Sequence, residues 1–203
     1  LIEAVVNAVK VPVTLKTRLG WDDDMLNAPQ IAARAEEAGI TMITIHGRTR
    51  CQFYKGAADW AAIAGVKQAV SIPVIANGDI ISTDAARQAL AQSGSDGVMI
   101  GRGAQGKPWL LAQVAHDLFG APAPVIPQGA EFARMVADHY EAIIRFYGEV
   151  IGLRVARKHL GWYMDTSNTP ADLRRAMLTA SSPAEVHRLI PSACLPDHQL
   201  EAA

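Results

Sequence analysis

Residues 72–102 contain two apolar runs, Ile-Pro-Val-Ile-Ala from residue 72 and Gly-Val-Met-Ile from residue 97, separated by an amphipathic segment. This pattern predicts a strand, a helix and a second strand. Asn77-Gly78-Asp79 follows the first strand and Gly101-Arg102-Gly103 follows the second. Glycine lets a backbone approach a ligand closely, and successive N–H groups at a strand-to-helix turn attract anions. We therefore expect these turns to bind a phosphorylated cofactor; the alternative is two tight turns without a ligand.

The same alternation of strand and helix extends over residues 1–119. Strands are predicted at residues 11–16, 41–45, 72–76 and 97–100, and a helix follows each of them. Four such units make half of a (β/α)₈ TIM barrel, whose phosphate sites follow its last two strands. An open doubly wound sheet is the alternative, but the Gly-x-Gly-x-x-Gly that it usually carries after its first strand is absent here. Because residues 1–9 have the pattern of the second half of a helix, we expect the other half of the barrel upstream.

The rest of the chain has a different organisation. Residues 120–128 contain Pro122, Pro124 and Pro127 and predict a stiff linker. Residues 129–203 show helical spacing of apolar residues and helix-start signals at Thr169-Pro170 and Ser182-Pro183-Ala184-Glu185. The predicted fold is therefore α/β: the second half of a TIM barrel over residues 1–119, followed by a small all-α helical bundle over residues 129–203.

The composition narrows the classes of function. The chain has 203 residues, a net charge of −1 and 50% hydrophobic residues, which is typical of a globular protein. No apolar run reaches the length of a membrane span, and we expect no membrane partner and a cytoplasmic location. The two cysteines, Cys51 and Cys194, form no metal-ligand spacing, so we expect no metal site.

Polar residues end each predicted strand, which is where barrel enzymes carry their active groups. Lys16, His46, Asn77 and the pair Gly101-Arg102 hold these positions. An anionic cofactor would supply the counter-charge for Lys16, whereas the alternative is a lysine that reaches solvent. His46 could contact a ligand or could simply bond to a backbone carbonyl. Asp79 could likewise contact a ligand or stabilise a local turn.

Further candidates lie on the predicted loops and on the helical part. Arg18, Arg48 and Arg50 would share one rim and could bind phosphates, although a solvated arginine is the more common case. Tyr54 could stack on a flat base or anchor its loop, and Cys51 is expected to be a spectator thiol. The basic run from Arg154 to His159 could contact RNA phosphates or form a solvated helix face.

Five stretches of the sequence form a distinctive set of motifs. They are Val-Thr-Leu-Lys-Thr-Arg-Leu-Gly-Trp from Val13, Ile-His-Gly-Arg-Thr-Arg from Ile45, Pro-Val-Ile-Ala-Asn-Gly-Asp-Ile from Pro73, Gly-Val-Met-Ile-Gly-Arg-Gly-Ala from Gly97 and Arg-Lys-His-Leu-Gly-Trp-Tyr from Arg157. Together they resemble the motifs of the tRNA-dihydrouridine synthase family, and of its bacterial B-type branch in particular. The resemblance implies an FMN-binding barrel followed by a helical tRNA-binding domain. In that family, FMN reduced by NADPH passes a hydride to a uracil ring of tRNA.

The resemblance also implies roles for individual residues. Lys16 and His46 would be catalytic residues that contact the flavin and help to place the uracil, and Arg18 and Tyr54 would face this base, which must leave the RNA stack. Arg154, Arg157 and Lys158 would bind the tRNA backbone. The ribityl phosphate end of FMN would be held by Asn77, Gly78, Asp79, Gly101 and Arg102.

One departure from the family pattern affects the expected activity. The family's proton donor is a cysteine in a Gly-Cys-Pro-rich region after an earlier strand, and this sequence has no such region. We therefore expect the chain alone to be inactive and to bind FMN poorly. Two rival readings are another FMN-dependent barrel oxidoreductase that acts on a small molecule, and a non-catalytic fragment that binds RNA or self-associates through open barrel edges.

Overall fold

The structure is a computed structural model that describes residues 1–194 and contains two units. The first unit comprises Leu1–Gly103 and Leu110–Pro122. The second unit comprises Ala104–Trp109 and the described residues from Ala123 to Cys194. The short segment Ala104–Trp109 therefore belongs with the helical part of the chain, although it lies between two elements of the first unit.

The first unit alternates strands and helices. Short 3₁₀ turns at Ala61–Ile63 and Arg102–Ala104 follow its second and fourth strands. Its elements in chain order are α1 (Ile2–Ala8), β1 (Thr14–Arg18), α2 (Ala28–Glu37), β2 (Met42–His46), α3 (Ala64–Ala69), β3 (Val74–Asn77), α4 (Thr83–Ser93), β4 (Gly97–Met99) and α5 (Leu110–Phe119).

The four strands form one parallel sheet in the order β1-β2-β3-β4. Sequential parallel strands joined by helices are the repeating unit of α/β proteins, so the predicted α/β class is confirmed. Within the described residues, β1 and β4 are the edge strands of this sheet.

One face of the sheet packs against the helices. Ile43 and Ile45 of β2 are fully buried, and so are Val74 and Ala76 of β3. The alternate residues of these strands point to the opposite face, because successive side chains of a strand alternate. Thus the apolar residues build the core with the helices, and the polar residues between them are left for the other face.

Local sequence signals explain two helix boundaries. The Ser82 hydroxyl accepts a hydrogen bond from the Ala85 N–H at 3.1 Å and so caps α4. Gly94 ends this helix in the left-handed conformation, with φ 63°, which costs glycine little. Asn27 occupies the N-cap position of α2, but its side chain makes no capping hydrogen bond.

The second unit is helical. Its helices are α6 (Gly129–Thr166), α7 (Ala171–Thr179) and α8 (Pro183–Cys194). Their apolar faces share one core, which includes Val136, Tyr140, Leu160, Met177 and Ile190.

Gly148 interrupts α6, as the sequence predicts for a helix stop. Its φ of 74° and ψ of 165° lie in a region that is open almost only to glycine. The two halves of α6 pack closely afterwards, since a Cβ atom on Gly152 would lie 3.0 Å from the Ile144 Cα. His139 Nδ1 and the Tyr163 hydroxyl, 2.9 Å apart, add a hydrogen bond between the halves.

The first strand ends later than the sequence predicts. The apolar pattern predicts an end at Lys16, but β1 continues through Thr17 to Arg18. Thr17 and Arg18 are polar, yet their backbones still pair with Ile45 and His46 of β2. The end of the apolar run therefore does not mark the end of this strand. None of the helices within residues 1–194 is both long and apolar enough to cross a membrane.

Candidate functional site

The register of the sheet places one residue from each strand in a single row. Arg18 of β1 pairs with His46 of β2, His46 with Asn77 of β3, and Asn77 with Met99 of β4. Residues paired in register point to the same face of a sheet. Lys16 lies one row below, where it pairs with Thr44. The carboxyl ends of the four strands therefore present their side chains to a common space.

This space is a cavity of about 520 Å³, which lies within the usual range for a small-molecule site. Nine of the predicted site residues line it: Lys16, Arg18, His46, Tyr54, Asn77, Gly78, Asp79, Gly101 and Arg102. Ile80, Ile81, Met99 and Gly103 complete the lining.

The turn after β3 has a backbone that only a small residue tolerates. Gly78 has φ 116°, and a Cβ atom there would lie 2.7 Å from both the Ala58 Cβ and the His46 ring. The Trp60 indole N–H donates to the Gly78 carbonyl at 2.8 Å and holds the turn in place. Because Gly78 has no side chain, the His46 ring can pack against this turn and line the cavity.

An ion pair between buried Arg48 and half-buried Asp79 holds the wall of the cavity together. The Arg48 guanidinium is 2% exposed, and it donates to both carboxylate oxygens of Asp79 at 3.0 and 2.5 Å. It also donates to the Lys55 and Gly56 carbonyls at 3.1 and 2.7 Å. Arg48 thereby fastens the loop that carries Tyr54 to the turn that follows β3. A bidentate arginine pair of this kind fixes geometry as well as charge.

Arg48 is the residue whose role the sequence did not reveal. The sequence predicts a rim arginine that binds phosphates or is solvated. In the structure the side chain is instead buried, and it donates hydrogen bonds to groups of the protein itself. Its position two residues after the end of β2 is the signal that could have suggested burial, because this position lies beside the turn that follows the neighbouring strand β3.

Tyr54 lines the cavity and lies near two guanidinium groups. The Arg102 guanidinium carbon is 4.6 Å from the centre of the Tyr54 ring, and that of Arg18 is 5.6 Å away. These distances are within the range of cation–π contacts. Tyr54 itself is 62% exposed, so its ring can still contact a ligand.

The charges of the cavity favour an anion. Lys16, Arg18 and Arg102 are cationic lining residues, whereas Asp79 is the only carboxylate among the residues that line the cavity. The Asp79 carboxylate is paired with Arg48 and lies 3.4 Å from Arg102. Burial acts to raise the pKa of Asp79, but the Arg48 and Ala58 hydrogen bonds and the nearby arginine charges bring that pKa below its usual value.

Burial and the cationic surroundings keep His46 neutral. Burial, and after it the charges of Arg18, Lys16 and Arg48, lower the pKa of His46 to about 4. Burial and the Arg18 charge likewise lower the pKa of Lys16. The site can therefore offer a neutral imidazole and several cationic donors to a ligand that brings negative charge.

The remaining predicted residues lie outside this row. Arg154, Arg157 and Lys158 are exposed on the C-terminal half of α6 in the second unit. Cys51 is exposed, and Cys194 is buried in the second unit, where burial raises the pKa of its thiol to about 12. Within residues 1–194, no group of three or more histidine, cysteine or acidic residues could hold a metal ion.

Comparisons with known proteins agree with the motifs. The sequence model of the dihydrouridine synthase family matches residues 1–199. A probable tRNA-dihydrouridine synthase of Rhodobacter capsulatus is 63% identical over 193 residues, which are 95% of this chain and 59% of that protein. The tRNA-dihydrouridine synthase B of Pseudomonas syringae pv. tomato is 45% identical over 205 residues, which are 98% of this chain and 60% of that protein.

These relatives are longer than the present chain, which spans about three-fifths of their length. Among solved structures, a mandelate oxidase aligns with 95% of this chain and 65% of its own at 16% identity and a TM-score of 0.35.

Proposed function

Because this chain belongs to the dihydrouridine synthase family, we propose that it is part of a cytoplasmic FMN-dependent enzyme that reduces uridine to 5,6-dihydrouridine in tRNA, with NADPH as the reductant. The observation that carries the proposal is the single row formed by Arg18, His46, Asn77 and Met99 above one cavity. Residues at the carboxyl ends of parallel barrel strands are the usual place for such a site.

The residues present fit a phosphorylated flavin. The cations that line the cavity outnumber its one carboxylate, and that carboxylate is already paired with Arg48. A phosphate group would meet this surplus of positive charge, and Gly78 and Gly101 allow its close approach to the backbone. Bound FMN would supply the hydride chemistry that none of the protein's own side chains can perform.

The chain's own residues would orient this cofactor and the base. Lys16 and Arg18 would donate to the electron-rich edge of the flavin or the uracil, and neutral His46 would add a hydrogen bond without a competing charge. The Asn77 amide nitrogen donates to the Met99 carbonyl at 2.8 Å, so the orientation of this side chain is already fixed. Gly101 and Arg102 would hold the phosphate end.

Asp79 would act as a positioning residue rather than a phosphate ligand. A carboxylate repels phosphate, but Asp79 lies 3.4 Å from Arg102 and can aim that guanidinium at the ligand. Tyr54 and Arg18 would contact the uracil once it leaves the RNA stack. Arg154, Arg157 and Lys158 would bind tRNA phosphates from the second unit.

We also propose that the four strands are half of a (β/α)₈ barrel. The sheet is parallel, its strands are in sequential order, and within the described residues the edge strands β1 and β4 each pair with one other strand. An eight-stranded barrel leaves no such edges. The free edges would pair with the rest of a barrel, or with a second copy of this chain.

The proposal predicts that the isolated 203-residue chain binds FMN weakly and does not form dihydrouridine. Its cysteines are Cys51, exposed on a loop, and Cys194, buried in the second unit, and we assign the role of proton donor to neither. NADPH-dependent dihydrouridine formation in tRNA by this chain alone would contradict this part of the proposal.

Flavin fluorescence titration tests the cofactor assignment. We expect FMN to bind more tightly than riboflavin, which lacks the phosphate, and we expect Arg102→Gln to remove most of that difference. Loss of one charged hydrogen bond should weaken FMN binding about tenfold or more. Arg34→Gln removes an exposed arginine of α2 and serves as the control for net charge. Equal affinity for FMN and riboflavin would contradict a phosphate site at Arg102.

A further inference from the structure

A second cavity of about 750 Å³ adjoins the first in the same unit. Arg18 lines both cavities. The residues that give the second cavity its chemistry are Thr17, Arg18, Trp21, Asn27 and Arg50, and Met25 and Ile31 add apolar surface. Neither the family resemblance nor the row of strand ends gives this cavity a role.

Flat side chains are exposed at this cavity and beside it. Trp21 lines the cavity and is 58% exposed, and Phe53, which lies next to the lining residue Arg50, is 53% exposed. Such exposure is unusual for residues that gain so much from burial. The Arg50 guanidinium lies 4.3 Å from the centre of the Phe53 ring and 6.0 Å from that of Trp21. Indole, guanidinium and phenyl groups together form a surface suited to planar ligands.

The two loops that carry this surface are joined to each other. The Arg50 N–H donates to the Gly20 carbonyl at 2.9 Å, and the Cys51 N–H donates to the Trp21 carbonyl at 2.8 Å. From below, Arg18 Nη1 donates to the Thr49 and Phe53 carbonyls at 2.7 and 2.9 Å. These bonds hold Trp21 and Arg50 at a fixed distance before any ligand arrives, which lowers the entropic cost of binding.

Phe53 adopts a backbone conformation that is costly for its residue type. Its φ is 52°, a value that bulky residues rarely adopt. The surrounding hydrogen bonds keep an exposed aromatic ring in a strained loop beside the mouth of the first cavity. Strain of this kind is common where a loop binds a ligand.

The cavity is also lined by an exposed side-chain amide, that of Asn27. Asn27 is exposed at the N-cap position of α2, yet its side chain makes no capping hydrogen bond. A side-chain amide offers a donor and an acceptor side by side, which matches the edge of a nucleobase. Trp21 can cover the face of a base while Asn27 and Thr17 contact its edge.

We propose that the second cavity binds an unpaired nucleobase of the RNA, next to the nucleotide whose base enters the first cavity. This inference rests on the proposed function, and it adds a stacking subsite made of Trp21, Arg50 and Asn27. Sequence-specific proteins recognise RNA mainly through unstacked bases held by aromatic rings, guanidinium planes and edge hydrogen bonds.

The charges nearby fix the side on which the RNA backbone passes. Asp22, Asp23 and Asp24 directly follow Trp21, and the Asp22 carboxylate accepts a hydrogen bond from the Asp24 N–H at 3.2 Å. These carboxylates repel phosphate groups, whereas Arg50 and Arg18 attract them. The phosphates would therefore follow the two arginines, and the base would turn towards Trp21.

Binding of a fluorescein-labelled oligouridylate of about eight nucleotides tests this inference by anisotropy. Stacking predicts that Trp21→Ala weakens the affinity about fivefold or more. Arg50→Lys keeps the charge but loses the flat guanidinium, so it should also weaken binding. Phe119→Ala removes an aromatic ring that is 51% exposed on α5 and should have no effect. A duplex RNA of equal length should be insensitive to Trp21→Ala because its bases are already stacked.

Two results would overturn the inference. One is equal single-strand affinity for wild type, Trp21→Ala and Phe119→Ala; the other is an equal loss for single-stranded and duplex RNA. Circular dichroism of each variant verifies folding, and Arg50→Lys still tests the stacking surface if Trp21→Ala does not fold. FMN titration of the wild-type chain reports on the proposed function separately, since it requires no RNA.

Discussion

His46 is neutral because its ring is buried and its neighbours are cations. It is 7% exposed, and burial and the charges of Arg18, Lys16 and Arg48 lower its pKa to about 4. The unfolded chain should have an imidazole pKa of about 6.5. Between these values the unfolded state binds a proton that the folded state does not, so the folded state loses stability as the pH falls through this range.

Acidification should therefore destabilise the wild-type chain more than a His46→Gln variant. We expect the free energy of unfolding of wild type to fall by about 2 kcal/mol more than that of the variant between pH 7 and pH 4.5. Urea unfolding at both pH values measures the difference. An equal loss for both proteins, or an NMR titration that places the His46 pKa near 6.5, would contradict this prediction.

The sequence alone predicts which residues are candidates for the site, but it does not predict which of their side chains contact each other. The sequence identifies Lys16, His46, Asn77 and Arg102 because polar residues interrupt apolar strands. It does not show that Arg48 is buried against Asp79, since a loop arginine has no local signature of burial. Only the parallel register brings these residues, 31 positions apart, into contact.

Elements follow local rules where a special backbone conformation is needed. Ser82 and Gly94 delimit α4, and Gly148 divides α6, as expected from capping and from left-handed conformations. The start of α8 follows the predicted capping box in part. The Glu185 N–H donates to the Ser182 hydroxyl at 3.3 Å, but the Glu185 carboxylate accepts from the Ser181 N–H rather than from that of Ser182.

Strand ends were the least predictable elements. The apolar run stops before Lys16, whereas β1 extends to Arg18 because its last residues pair with β2 and face a polar cavity. A strand whose exposed face lines a ligand site does not keep the hydrophobic pattern on which such predictions depend. Because β1 extends to Arg18, it is Arg18 rather than Lys16 that lies in the row with His46.

Replacement of Gly148 tests the importance of the interruption in α6. Alanine at φ 74° and ψ 165° is strained, so Gly148→Ala should destabilise the second unit by about 1–3 kcal/mol. Hydrogen exchange of α6 peptides measures the loss within that unit. Glu149→Ala changes the next residue, which is exposed, and should alter stability by less than about 0.5 kcal/mol. Unchanged exchange in Gly148→Ala would show that the turn tolerates another conformation.

At the scale of the whole molecule, the chain combines a parallel sheet unit with a helical unit. The sequence predicts both from the change from βα periodicity to helical periodicity, with prolines between them. It does not predict that Ala104–Trp109 joins the second unit, because that assignment depends on packing such as the Thr166 hydroxyl bond to the Gly106 carbonyl at 3.2 Å.

The open edges of the sheet connect the architecture to the proposed activity. Parallel sheets are usually buried within a protein, whereas within the described residues this sheet ends at β1 and β4. The family relatives are longer than this chain. The site residues already converge within the first unit, so this unit should recognise the cofactor, even if weakly, without performing the reaction.

The most direct test of the account is a map of where FMN binds. In ¹H–¹⁵N NMR spectra of the chain, FMN should shift the backbone signals of Gly78, Asp79, Gly101 and Arg102, and riboflavin should shift Gly101 and Arg102 much less. This method detects weak binding, which is what we expect of the isolated chain. Shifts at unrelated surfaces, or no shifts at saturating FMN, would contradict the claim that the strand ends form one flavin site.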